Sequence, residues 1–329
     1  SDTHSTTEAV TVRVNDAFTS GGAQRAGGQH SRTFSLATDL DYVRGIHSLR
    51  GGIALDGGWY RSDDTANYLG TYTFESLDTY PDHPKSYTRR IGPPNIQYQN
   101  LQAGVYLQDD IRVSKNLTLS PGVRYEVQTH VRDNNNVGPR FGVTWAPFAS
   151  GITTLRGSAG IFYDWLATGT YEQTLRVDGF RQQELNIVNP PFLDPTNPPV
   201  LDPGDVGSVP PINRYYLENG LSAPKTTRFS AGIDQGLGKL IRLAGTYSYQ
   251  RGSGLPRGLN RNAPEEDGAR PDPRFGNVIE VVSDASSRQH QLQVDSNINP
   301  GALLPAFGAP LISWKRATVF INYTLAKVE

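Results

Sequence analysis

The chain has 329 residues, with 31 Lys and Arg against 32 Asp and Glu, a formal net charge of −1 and a mean hydropathy of −0.47. The balance argues against nucleic acid as a partner, because a phosphate-binding surface carries a basic excess. With no Cys and only six scattered His, the sequence holds no disulfide, thiolate site or zinc-ligand pair.

The strands announce themselves by period-two alternation. In chain order they are predicted over residues 8–15, 31–43, 47–60, 101–113, 116–128, 138–147, 153–163, 226–237, 240–250, 288–298 and 316–325. The clearest is 116–128. One face carries Leu117, Leu119, Val123, Tyr125 and Val127; the other carries Thr118, Ser120, Arg124, Glu126 and Gln128. Successive strand side chains point to opposite faces, so one face is apolar and the other polar. Most of these strands have the roughly 9–11 residues that a tilted strand needs to cross a bilayer. No apolar run is long enough for a membrane helix.

Connections alternate in length. Short ones fall at 45–46, 114–115, 148–152 and 238–239. Long ones fall at 17–30, 61–100, 164–225 and 251–287, with a modest one at 129–137 and an anomalous long turn at 299–315. This is the rhythm of an up-and-down transmembrane barrel with short periplasmic turns and long extracellular loops. A soluble β-sandwich also alternates, but its strands are usually nearer 5–6 residues. The fold expectation is therefore all-β: an antiparallel up-and-down transmembrane β-barrel segment.

The stretch YLQDDIRVSKNLTLSPGVRYEVQ, followed by NNNVGPRFGVTWAPF and TTLRGSAGIFYDW, resembles the barrel of TonB-dependent outer-membrane receptors. It is most similar to the Oar-like type, which carries an N-terminal carboxypeptidase-regulatory-like domain. NRNAPEEDGARPDPRFGNV and INYTLAK extend the resemblance along most of the chain. The resemblance implies a barrel of about 22 strands, of which roughly eleven would lie here. It also implies a plug domain and drive from TonB–ExbB–ExbD. The cargo would be a large nutrient: a peptide, a protein or a glycan. With no plug, no closing strand and no initiating Met in the sequence, residues 1–329 are expected to be one internal part of such a barrel, completed by further strands and seated in outer-membrane lipid.

Two groups of site residues follow. Arg112, Arg124, Glu126, Arg140, Arg156, Arg228, Asp234 and Arg242 fall on polar faces and are expected to face the lumen and the plug. The loop aromatics Tyr68, Tyr72, Tyr80, Tyr87, Trp165, Tyr171, Tyr215 and Tyr216 are expected to contact an extracellular ligand, since function gathers on loops held by a rigid scaffold. Residues 164–176 are read as including a short helix. Asp109 and Asp110 are strand neighbours and point apart, so they cannot act on one bond. Without a nucleophile elbow or a phosphate loop, the sequence predicts no enzyme, no cofactor and no metal. The acidic loop Glu265, Glu266, Asp267 and Asp272 is read as solvated in preference to a Ca²⁺ site. Two other readings remain open: a structural or adhesive surface protein on the same scaffold, and a secreted soluble glycan-binding β-protein.

Overall fold

The computed structural model describes residues 9–22, 27–192, 194, 196–202, 212–238, 240–299 and 318–329. Ten strands form an antiparallel wall: β3 (Gly27–Arg44), β4 (His47–Asp64), β7 (Asn95–Ser114), β8 (Leu117–Gln128), β9 (Val137–Trp145), β10 (Thr153–Tyr163), β13 (Lys225–Leu237), β14 (Ile241–Asn260), β15 (Phe275–Ile298) and β16 (Val319–Val328). Each pairs with the next, as an up-and-down wall requires. An eleventh strand, β12 (Ile212–Leu217), joins the same sheet in parallel with the outer half of β15.

Register makes the two faces. Leu36 lies opposite Leu55, Ile53 opposite Val105, and Leu119 opposite Val143. Many apolar positions are thus level with apolar partners across the sheet, and a slip of one residue would invert the face. The large apolar side chains on it are exposed, among them Leu40 at 77%. An apolar face of this size turned outward is a lipid-facing surface. The tight turns carry glycines with positive φ, such as Gly45 at 60° and Gly238 at 62°, where other L-residues are strained.

The long connections fold as well. β1 (Thr11–Val14), β2 (Phe18–Ser20), β5 (Thr71–Phe74), β6 (Ser86–Ile91) and β11 (Gln183–Val188) form a second sheet in the order β11-β6-β5-β1-β2. Three separate parts of the chain meet in it. Val10, Val12, Val14, Phe74, Leu185, Ile187 and Leu201 pack around Tyr72 and Tyr87. The Tyr87 hydroxyl donates to the Leu69 carbonyl (3.0 Å) and accepts from the Leu201 amide (3.2 Å), tying Leu201 to the sheet.

Several expectations are corrected here. The strand expected at 8–15 is, over its described residues 9–15, not a wall strand: Thr11–Val14 pairs in parallel with Thr71–Phe74, and its apolar face meets protein instead of lipid. Alternation is blind to that difference. The sheet still counts eleven strands because β12 takes the missing place. Wall strands also run past the predicted ends, β4 to Asp64 and β7 from Asn95, so the 61–100 and 251–287 loops are shorter than expected. The apolar signal ends where lipid ends, whereas the hydrogen-bond ladder continues into water. The 299–315 turn lies, beyond its first residue, outside the described residues.

Tyr72→Ala would remove a fully buried ring at a cost of about 3–5 kcal/mol. Limited proteolysis of the detergent-folded protein should then cut within 65–94 and 177–202 while the wall strands stay protected. Burial also raises the Tyr72 and Tyr87 pKa values. Both phenols are held neutral, so their contribution is whole below about pH 10, the ordinary tyrosine value, and is lost as pH climbs beyond it. An alkaline titration followed at the tyrosinate absorbance should show Tyr72 and Tyr87 ionising later than an ordinary tyrosine, together with loosening of the loop sheet.

Candidate functional site

All eight residues predicted for the polar face do share one face. Arg124 lies level with Tyr106 and Gly138, Arg140 with Gly122 and Gly160, Arg156 with Thr144 and Gly232, and Arg228 with Gly160. Arg112 is level with Thr118, and Arg242 with Gly236 and Asn297. A glycine directly opposite a long arginine leaves room for the guanidinium to lie flat on the sheet. The diagonal neighbour matters as well: a Cβ at Gly104, which lies opposite Glu126, would come within 2.9 Å of the Arg124 Nη2.

The charges pair along this face. The Arg124 Nε donates to the Glu126 carboxylate at 2.7 Å, and Arg156 forms an ion pair with Asp234. Arg140 and Arg228 both stack on the Phe162 ring, at 4.3 and 5.1 Å from its centroid. Two like charges thus share one aromatic ring, held by its quadrupole. Phe162 went unread in the sequence. Its signal was a bulky ring at a polar parity between Ile161 and Tyr163.

At the long-loop end the same face receives a helix, α1 (Thr168–Arg176), within the segment read as helical. The Gln128 side-chain amide anchors the approach to it: its Nε2 donates to the Leu166 carbonyl and its Oε1 accepts the Leu166 amide, both at 2.8 Å. Leu166 is buried against Val131, Leu221 and Val281. On the helix, Tyr171 stacks on His130 (3.6 Å between centroids, 15°) and meets the edge of Tyr98 (5.6 Å, 73°). Tyr98 in turn stacks on Tyr60 (4.9 Å, 10°). Glu172 accepts hydrogen bonds from the Tyr98 hydroxyl at 3.2 Å and from Arg176, which also reaches the Ser62 hydroxyl at 2.9 Å.

Two cavities open beside this ladder of rings. One, of about 360 Å³, is lined by Ser35, Asp56, Tyr60, Asn100, Gln102 and Thr168. The other, of about 1270 Å³, is lined by Gln29, Arg61, Asp63, Gln97, Tyr98 and Gln99 among others. Rings, amides and paired charges in one mouth can stack on a flat face and hydrogen-bond hydroxyl or amide groups.

The predicted loop aromatics do not converge on one site. Tyr72 and Tyr87 are 0% exposed, which corrects their expected role: they are core residues of the loop sheet and cannot touch a ligand there. Tyr80 packs against the same core. Tyr68 is half-buried, its carbonyl accepting from Arg89. Tyr215 and Tyr216 sit on β12, with the Arg214 guanidinium over the Tyr216 ring. Trp165 is half-buried just before α1. Tyr60, Tyr98 and His130, which complete the ladder around Tyr171, were missed, although Tyr60 and Tyr98 are rings at polar parity. In the acidic loop, Asp272 holds Arg274, whose hydrogen bonds lower its pKa, and Asp267 accepts the Ala269 amide. Among the described residues no three His, Asp or Glu converge as a metal site.

Tyr171→Ala removes two ring contacts, worth about 0.5–1.5 kcal/mol each beyond burial. Hydrogen exchange of the α1 amides should speed up by about tenfold, with β8 unchanged; equal exchange would mean that the ring ladder does not hold the helix.

Comparison with known proteins agrees with this architecture. The outer membrane beta barrel domain family matches residues 1–136 and 131–299. The chain is similar in fold to the Escherichia coli outer membrane transporter YddB, with a TM-score of 0.62 and 14% identity over 97% of this chain and 37% of that one. It is similar to the Neisseria meningitidis iron transporter FrpB (TM-score 0.52, 14% identity, 92% of this chain and 37% of that one). It is also similar to the Pseudomonas aeruginosa ferric enterobactin receptor PfeA (TM-score 0.50, 10% identity, 83% and 34%). The chain thus spans little more than a third of these transporters. No curated protein matches it in sequence. With a paired antiparallel wall, an outward apolar face and a family match over most of its length, the chain belongs to the outer membrane beta barrel domain family and resides in the bacterial outer membrane.

Proposed function

We propose that the chain forms part of the wall of a TonB-dependent receptor that takes up a large nutrient, and that the receptor is of the Oar-like type. One observation carries this reading. At the long-loop end, α1 and the ring ladder together build a structured mouth over the polar face. A purely adhesive surface has no need of a ligand mouth continuous with a charged inner wall.

On this reading the polar face lines the lumen. Arg112, Arg124, Glu126, Arg140, Arg156, Arg228, Asp234 and Arg242 form a wetted wall against which a plug domain docks, and TonB–ExbB–ExbD supplies the energy. Tyr171, Trp165, Tyr215 and Tyr216 contact the cargo at the mouth, with Tyr68 and Tyr80 nearer its rim. The amides Asn100 and Gln102 around the smaller cavity suit a peptide, protein or glycan rich in hydroxyl and amide groups.

The test is uptake of fluorescent peptides and oligosaccharides by cells making the complete receptor. Accumulation should require TonB and should fall by about tenfold with Trp165→Ala and Tyr216→Ala combined, as for loss of two aromatic anchors. Binding at the surface that is equal with and without TonB, and that never becomes uptake, would favour the adhesive reading instead.

A further inference from the structure

The apolar face is not uniformly apolar. Across β14, β15 and β16, register sets out its rows, from Ile241–Ile298–Val319 beside the short turns to Tyr247–Leu292–Leu325. The next row toward the long loops is Tyr249–His290–Lys327, and the one after it places Arg251 directly opposite Arg288. Lys225, on β13, follows one step further on the same face, opposite Ser253. From Ile241 to Arg251 is roughly 33 Å along the strand, or about 25 Å across a membrane at the tilt of such barrels, which is the height of their apolar band. The cations therefore stand where that band gives way to headgroups. On β8, β9 and β10 the same face carries no charged residue at all.

Two like charges placed directly opposite each other on neighbouring strands repel. Among the described residues, no carboxylate lies within ion-pair distance of the Arg251 or Arg288 side chain. The nearest acid in the ladder, Glu329, pairs with Arg288 through backbone hydrogen bonds but gives its carboxylate to the Lys327 Nζ at 2.5 Å. Below the arginines, the Tyr247 hydroxyl is hydrogen-bonded to His290 Nδ1 at 2.7 Å, and Tyr249 packs on the same imidazole. This forms a rigid aromatic floor at the membrane interface. Both arginines are exposed.

We propose that Arg251 and Arg288, supported by Lys225, clamp the phosphate of an anionic lipid headgroup on the outside of the wall. Two guanidinium forks match phosphate oxygens bidentately, and a shared anion turns the cross-strand repulsion into attraction. The lipid chains lie on the Tyr247–Leu292–Leu325 surface beneath. Since the long loops of such barrels are external, the lipid belongs to the outer leaflet. This site lies on the opposite face from the mouth and does not depend on the cargo.

The test places the full-length protein in phosphatidylcholine nanodiscs and counts bound lipid by native mass spectrometry. The probes are lipid A bearing its phosphates, the dephosphorylated form, and inorganic phosphate. Phosphorylated lipid should be retained, the dephosphorylated form should not, and inorganic phosphate should compete only weakly. Arg251→Gln with Arg288→Gln should weaken retention by roughly tenfold or more, as for loss of two charge-assisted contacts, while Arg251→Lys with Arg288→Lys should keep most of it. Equal retention of both lipid forms by the unmodified protein would overturn the proposal without any variant. So would undiminished binding by the folded glutamine variant, or inorganic phosphate binding as tightly as the lipid.

Discussion

A backbone amide inside a hydrocarbon layer has no water to bond to, and each one left unpaired costs several kcal/mol. The continuous antiparallel ladder of the wall meets that demand, and the rest of the molecule follows from its register. Once Leu36 is level with Leu55 and Arg140 with Gly160, the alternation of each strand becomes two coherent faces. The ladder also explains the glycines of the polar face. Several of them stand across from arginines, where the missing side chain leaves the guanidinium room on the sheet.

Several charges of the polar face find partners within it. Arg124 with Glu126, Arg156 with Asp234, and the two guanidiniums on Phe162 each find a partner within the wall. Such pairs in a wetted surface contribute modestly to stability. Their larger effect is to keep the face polar while holding its side chains in place. The membrane-facing side shows the contrast: there Arg251 faces Arg288 with no acid between them, and the charge points to something outside the protein.

The long connections behave as a second folding unit. Residues from the start of the chain, from the β4–β7 connection and from the β10–β13 connection meet in one sheet around Tyr72 and Tyr87. Long-range parallel pairing of β1 with β5 gives the loops a core of their own.

By itself the sequence determined the wall: its strands, its tight turns, the helix after β10 and the parity of all eight polar-face residues. These depend on period-two alternation and turn chemistry, which are local and survive without knowledge of neighbours. The fate of the loops was not legible. Thr11–Val14 alternates like a wall strand, and Tyr72 and Tyr87 look like free loop rings, because alternation records that a face is buried and not what buries it. The ladder of Tyr60, Tyr98, Tyr171 and His130 joins residues up to 111 positions apart. Only the tertiary structure decides such a contact, since it needs the register of β4 with β7 and the docking of α1 at once.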